Sequence, residues 1–191
     1  MISTQDPHET PSSDLESPSP QQELSRSETL WKIIKRFGSV SSPLSTGEAA
    51  RLRRGGSGGM TPSFWHLWND LQLARYCPFP LSENERQDRW QRVFQAYAKF
   101  LPTGSARAER QLPHDSKTRL GRVLRGAGER PRVSEARIAR LLSAPEEKRP
   151  ALMMRLLPFL KNEKFDFVEL GEFLLNPNEE ACRKVAKQYY R

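Results

Sequence analysis

Apolar residues recur at helical spacing along the chain from about residue 28 onward. The spacing i, i+3, i+4, i+7 places such residues on one face of a helix. Three segments of the first half have it: Leu30, Ile33, Ile34 and Phe37; Phe64, Leu67, Trp68 and Leu71; Trp90, Val93, Phe94, Tyr97, Phe100 and Leu101. The third segment has the strongest amphipathic pattern. We therefore expect Trp68, Trp90 and Phe94 in a helical core.

Capping signals mark the starts of two helices in this half. Ser45 with Glu48 and Ser82 with Glu85 have the spacing of a capping box, in which each side chain bonds the other residue's backbone N–H. The segment that follows Ser45 carries closely spaced arginines and ends at a glycine-rich run, residues 55–59. This run predicts a flexible connector.

The second half repeats the helical pattern in shorter segments. Glycines at 126 and 128 predict the end of the first of them, and Pro150 predicts the first turn of a later helix. Pro158 predicts a kink or an early end of that helix. The apolar positions are Leu120, Val123 and Leu124; Ile138, Leu141 and Leu142 after a Ser134 cap; Phe167, Leu170 and Leu174 after Asp166. A last helix runs into Tyr189 and Tyr190.

These patterns predict an all-α protein made of two small helical bundles in one chain. Residues 1–27 are rich in Ser, Pro, Gln and Glu and predict a disordered acidic tail. Residues 28–102 form the N-terminal helical bundle and residues 119–191 the C-terminal one. Residues 103–118 are the connector, because they contain proline and glycine and have no clear period.

Charge divides the chain unevenly. The 31 Lys and Arg exceed the 23 Asp and Glu, yet residues 1–30 contain six of the acids and only one base. The remainder therefore has a formal net charge of +13. Such a field attracts polyanions and accelerates their capture.

Arginine is concentrated on short helices opposite the apolar positions. Arg119, Arg122 and Arg125 are three residues apart, and Arg137 and Arg140 repeat this spacing. Between residues 107 and 140 ten bases stand against four acids, so an anion would relieve their mutual repulsion. The bases lie on several elements and the aromatic residues mostly on apolar faces. This distribution predicts electrostatic, sequence-independent binding of a nucleic-acid backbone rather than base reading.

Other chemistry lacks a matching residue set. The three histidines are scattered, and no Cys or His has metal-ligand spacing. The glycine run lacks the Lys-Ser/Thr of a phosphate-binding loop. We expect a protein that is not an enzyme and has no cofactor and no metal. Cys77 and Cys182 predict free thiols in a reducing cytosol, and the apolar runs are too short to span a membrane, so we expect a cytoplasmic protein.

Several patches, taken in order, carry a resemblance to a known family. They are residues 47–54 (GEAARLRR), 63–67 (SFWHL), 119–124 (RLGRVL), 132–142 (RVSEARIARLL), the Leu/Met-rich 153–160, 165–175 and the aromatic-basic last helix. Over residues 28–191 the chain resembles the small subunit of Cascade, the type I-E CRISPR surveillance complex (the CasB family). The acidic tail before Leu30 and the 102–118 connector fall outside this pattern.

The resemblance implies a non-enzymatic subunit of two helical bundles that acts in antiviral defense. Its implied partners are the backbone and large Cascade subunits, a second copy of itself, the guide RNA, the target DNA and the displaced single-stranded DNA. Such a subunit stabilises the guide–target hybrid and the displaced strand of the R-loop. The nucleic-acid contacts predicted on this basis are Arg53, Arg54, Arg119, Arg122, Arg125, Arg137, Arg140, Arg183, Lys184 and Lys187.

Two alternatives stay open at the level of sequence. A free-standing DNA-binding regulator would use the same basic helices but would discriminate between sequences. A helical adaptor would use the arginines to bind acidic protein partners. A further hypothesis concerns the tail, whose acids could compete with nucleic acid for the basic faces.

Overall fold

The computed structural model describes residues 25–38, 45–54, 61–77, 81–101 and 112–191. These ranges contain nine α-helices and no β-strand, which confirms the all-α prediction. Outside the described residues lie residues 1–24 of the predicted acidic tail, the glycine-rich run and most of the connector. The helices are α1 (Arg26–Gly38), α2 (Thr46–Arg54), α3 (Pro62–Asp70), α4 (Glu83–Phe100), α5 (Leu120–Arg125), α6 (Glu135–Ser143), α7 (Arg149–Leu156), α8 (Phe167–Leu175) and α9 (Glu179–Tyr189). Arg26 and Ser27, which the prediction placed in the tail, are instead the first residues of α1.

Both predicted capping boxes are present. At the start of α4, Ser82 N donates to Glu85 Oε2 at 2.8 Å and Glu85 N donates to Ser82 Oγ at 3.3 Å. At the start of α2, Ser45 and Glu48 exchange the same pair of bonds at 3.0 and 3.2 Å. The Glu48 carboxylate also accepts the Ser63 hydroxyl at 2.7 Å, so one capping residue ties α2 to α3.

The predicted helix ends in the second half are also confirmed. Helix α5 stops before Gly126, whose φ of +74° suits a residue without a side chain. Pro150 lies in the first turn of α7, and α7 ends at Leu156, where the 3₁₀ turn Leu157–Leu160 containing Pro158 begins. Ser134 occupies the N-cap position of α6, but its side chain makes no capping bond there.

The core runs through both halves of the chain. The predicted inward residues of α1 and α4 are buried, including Trp90 and Phe94, and they belong to one apolar cluster with the buried side chains of α8. Helix α8 packs against both α1 and α4. A Cβ built on Gly171 of α8 would lie 2.6 Å from Leu30 Cδ2 and 2.6 Å from the Tyr97 hydroxyl. The missing side chain of Gly171 therefore permits the close contact of α8 with Leu30 and Tyr97. The division of the chain into two bundles stays a prediction.

Residues 112–118 are held against the segment that precedes α8. His114 and Phe165 form an isolated parallel bridge, in which Asp115 N donates to Phe165 O at 2.9 Å. Asp166 N donates to Thr118 O at 2.8 Å. These bonds fix residues 112–118 immediately before α5, where a further group of basic residues begins.

Helix α9 is anchored by a buried cation. The Arg149 guanidinium, on the first residue of α7, donates to Ala144 O and Pro177 O at 2.9 Å each and also bonds the Glu179 carboxylate. Buried charges of this kind are tolerated when their donors are satisfied. Arg149 thus joins the start of α7 to the start of α9.

Candidate nucleic-acid interface

Six basic side chains line one cleft of about 840 Å³ at the surface of the second half. We call it the basic cleft, and its bases are Lys117, Arg119, Arg122, Arg125, Arg132 and Arg191. Its only acidic lining residue among the described part of the chain is Glu163, which is already paired with Arg132 at 2.8 Å. The cleft therefore presents a surplus of positive charge to solvent.

One wall of the basic cleft is the tight turn before α5. The Asp115 carboxylate accepts Lys117 N at 3.0 Å and the Thr118 hydroxyl at 2.7 Å, which is the local bonding that favours Asp in turns. These hydrogen bonds lower the pKa of Asp115. The turn brings Lys117 beside Arg119, the N-cap residue of α5.

Arg119 forms an ion pair with the Asp166 carboxylate. Its Nη1 lies 3.3 Å from Asp166 Oδ2, and its side chain stays 53% exposed. Asp166 is otherwise occupied as the N-cap of α8, where it accepts Val168 N at 3.0 Å and Glu169 N at 3.3 Å. The ion pair therefore orients Arg119 but leaves more than half of its surface available for a ligand.

The opposite wall is the loop that follows α5. Arg132 N donates to Arg125 O at 2.9 Å, so the loop folds back onto the end of the helix. The Arg132 guanidinium bonds Val123 O at 3.3 Å in addition to Glu163. Arg125 bonds Gly128 O at 3.4 Å. In contrast, Arg122 is exposed and has no ion pair or side-chain hydrogen bond within the described residues.

Helices α5 and α9 meet at the floor of the basic cleft. Gly121 N donates to Gln188 Oε1 at 2.8 Å, and a Cβ at Gly121 would lie only 2.3 Å from Val185 O. Gln188 Nε2 in turn donates to Glu169 Oε1 at 2.6 Å. Glu169 is only 4% exposed, although it lies in the first turn of α8.

No protein family, curated protein or solved structure matches this chain.

The structure brings together only part of the predicted contact set. Arg119, Arg122 and Arg125 line the basic cleft, whereas Arg137 and Arg140 are exposed on α6 outside it. Arg137 lies over the Phe159 ring, 4.6 Å from its centroid. Such a cation–π contact fixes the guanidinium plane but leaves it accessible to an anion.

Arg53 is engaged inside the fold. Its Nε donates to Ala98 O at 2.8 Å and its Nη2 donates to Leu101 O at 2.9 Å, which satisfies carbonyls at the end of α4. The structure therefore gives Arg53 a helix-capping role that its spacing alone did not reveal. Its neighbour Arg54 is exposed at the end of α2, away from the basic cleft.

The three predicted contacts on α9 also differ in whether their charge is already paired. Arg183 and Lys187 are exposed. Lys184 lies 3.2 Å from Glu169 and 3.8 Å from Glu172, so its charge is balanced by two carboxylates. None of the three lines the basic cleft.

Three cleft residues were absent from the predicted set: Lys117, Arg132 and Arg191. The Asp-x-Lys-Thr sequence at 115–118 is a turn signal that could have placed Lys117 beside Arg119. No local pattern indicates that the loop after α5 returns Arg132, or that the end of α9 reaches the same cleft.

Among the described residues, no group of three or more His, Cys, Asp and Glu side chains is arranged to hold a metal. Both cysteines are free and buried, and burial raises the pKa of the Cys77 thiol to about 11. None of the helices in the described ranges combines the length and apolar content needed to cross a bilayer.

Proposed function

We propose that this protein binds the sugar-phosphate backbone of nucleic acid without reading its sequence. The basic cleft is the observation that carries the proposal, because six cations converge there while the facing acid is internally paired. Arginine donates parallel N–H bonds that match phosphate oxygens, and backbone contacts convey no base identity. The Arg122 guanidinium, which has no partner within the described ranges, is the strongest single candidate for such a contact.

The context that fits this activity is the small subunit of a type I-E Cascade complex. The sequence patches, taken in their order along the chain, support that assignment. The basic cleft supports it as well, because its arginines suit contacts to a nucleic-acid backbone. R-loop formation exchanges one duplex for another of similar stability, so protein–backbone contacts can tip it. In this role the protein is a non-catalytic subunit that stabilises the guide–target hybrid and the displaced strand.

Charge reversal at one residue tests the binding activity. Arg122→Glu should weaken binding of a fluorescent DNA and reduce the slope of log affinity against log salt by about 0.7–0.9 per lost contact, since fewer counterions are released. Arg155→Glu on α7 is the matched control, because Arg155 is exposed and changes the net charge equally but does not line the cleft. Equal affinities and slopes for the two variants would contradict the proposal.

A second experiment tests the assembly. Reconstituted guide-carrying backbone and large subunits should form an R-loop less completely with the Arg122→Glu protein than with the unmodified protein. Unchanged strand opening would argue against the Cascade role. A marked preference for one duplex under competition with random DNA would favour the regulator instead.

A further inference from the structure

An exposed tryptophan lies close to the basic cleft. Four large aromatic residues of the described ranges are exposed, namely Trp31, Trp65, Phe159 and Tyr190. The sequence pattern had favoured aromatic residues on apolar faces. Trp31, on the solvent-facing side of α1, is 39% exposed and lies among polar neighbours. Its surface is thus available to a ligand.

A continuous chain of contacts connects Trp31 to the cleft. The Trp31 ring packs against the His114 ring with centroids 4.8 Å apart. His114 Nδ1 lies 4.0 Å from Asp166 Oδ1, and the other oxygen of the same carboxylate holds Arg119. Only two side chains therefore separate the indole from the first arginine of the basic cleft.

His114 supports the indole as a neutral ring. Its Nδ1 accepts the backbone N–H of Phe167 at 3.1 Å, a bond that only an unprotonated nitrogen can accept. Its side chain is 13% exposed, so it fixes the position of Trp31 instead of competing for a ligand. An aromatic ring held rigidly beside cations is the arrangement that proteins use to stack nucleic-acid bases.

A cation already occupies the position that a base would take. The Lys35 ammonium lies 5.0 Å from the centroid of the Trp31 ring, and Lys35 is exposed on a flexible side chain. An exposed cation–π contact of this type is weak. A base that stacks on the indole can displace the ammonium, which then remains close enough to pair with the adjoining phosphate.

We infer that Trp31 is a stacking platform for an unpaired base of a single strand whose backbone lies in the basic cleft. The inference rests on the proposed function and adds to its backbone contacts a residue that stacks on an unpaired base. Bases in an intact duplex are not free to stack on a side chain, whereas every unpaired base exposes a π-face.

The test uses the full chain and two probes of equal charge. One probe is an oligothymidylate of about 12 nucleotides, and the other is an abasic phosphodiester of the same length. Trp31→Ala should lower affinity for oligothymidylate by about 5- to 150-fold, the effect of losing one stacked base, and leave abasic affinity within about 2-fold. Trp31→Phe should retain most of the affinity because it keeps a ring.

Trp65→Ala is the matched control. Trp65 is 38% exposed on α3 and packs against Phe64 and Trp68, but it does not contact the residues that lead to the cleft. This variant should bind both probes as the unmodified protein does. Thermal melting of each variant separates a lost contact from lost folding.

The outcomes distinguish the two proposals. Binding of both probes with no effect of Trp31→Ala overturns the stacking platform alone. Equal losses on both probes, or an equal loss with Trp65→Ala, also overturn it. Failure of the unmodified protein to bind either probe overturns the proposed function as well.

Discussion

The Glu169 carboxylate accepts the backbone N–H of Leu120 at 2.6 Å, joining residues 49 positions apart. The bond satisfies a donor at the first turn of α5, which has no partner within the helix itself. Through Gln188 and Lys184 the same carboxylate also bonds α9. One buried acid thus fixes both helices that form the floor of the basic cleft.

Glu169→Ala should destabilise the protein. It removes the acceptor of a buried N–H, so we expect the free energy of unfolding to fall by about 1.5–3 kcal/mol, the range for hydrogen bonds to charged groups. Urea denaturation followed by circular dichroism measures the change. Glu180→Ala removes an exposed acid from the first turn of α9 and serves as the control. Equal stability of the two variants would contradict the central position of Glu169.

Gly121→Ala should disrupt the crossing of α5 and α9. The added Cβ would lie 2.3 Å from a backbone oxygen of α9, so the helices must separate. We expect a net loss of about 1–3 kcal/mol, as is typical of overpacking, together with weaker DNA binding because the cleft changes shape. Gly47→Ala on α2 is the control, since the nearest atom to an added Cβ there is 3.9 Å away and Gly47 does not line the cleft. A stable Gly121→Ala protein with unchanged DNA affinity would refute the close crossing.

Stability should decrease as the pH falls through about 6.5, the ordinary pKa of histidine. Burial lowers the pKa of His114 in the folded protein, although Asp166 and Asp115 oppose this shift. Between the two pKa values the unfolded chain binds a proton that the folded chain does not, so stability rises with pH in that window. Melting temperatures at pH 5.5 and 7.5, compared between the unmodified protein and His114→Gln, measure the effect. A pH dependence identical in both proteins would show that another group is responsible.

Removal of residues 1–24 should strengthen DNA binding. This segment contains five acids and no Lys or Arg, so its loss raises the formal net charge from +8 to +13. An acidic segment tethered at the start of α1 raises the local concentration of competing carboxylates near the cations. Affinity at low salt, measured beside a full-length variant with Asn and Gln in place of the five acids, checks the charge mechanism. If the deletion binds more tightly but the neutral variant does not, charge is not the cause.

The sequence predicted the helices well because their signals are local. Apolar spacing identified α1 and α4, and the residue types Ser82 and Gly126 marked a start and an end without reference to the rest of the fold. The arginine spacing likewise placed Arg119, Arg122 and Arg125 together, because residues three apart share a flank of one helix.

The remaining features of the site depend on contacts between distant segments. The sequence pattern predicts that Arg53 is exposed, as it does for Arg54. The Arg53 guanidinium nevertheless caps carbonyls at the end of α4 that are 45 and 48 positions away. Trp31 is connected to the cleft through His114 and Asp166 only because residues 112–118 pack beside the segment before α8. Local patterns contain no information about contacts between such distant segments. For this reason the sequence patterns predicted Arg53 as a nucleic-acid contact and predicted no role for Trp31.

The meeting of α5 with α9 makes the basic cleft depend on a contact between distant parts of the chain. The arginines of α5 precede Gln188 by more than sixty positions, and until α9 docks they have no shared floor. A polyanion that recognises the assembled cleft therefore acts as a thermodynamic ligand of the complete fold. At one hundred times its dissociation constant it would stabilise the folded chain by about 2.7 kcal/mol. Because the cleft exists only when α5 and α9 are docked, nucleic acid binds the folded chain in preference to the unfolded chain.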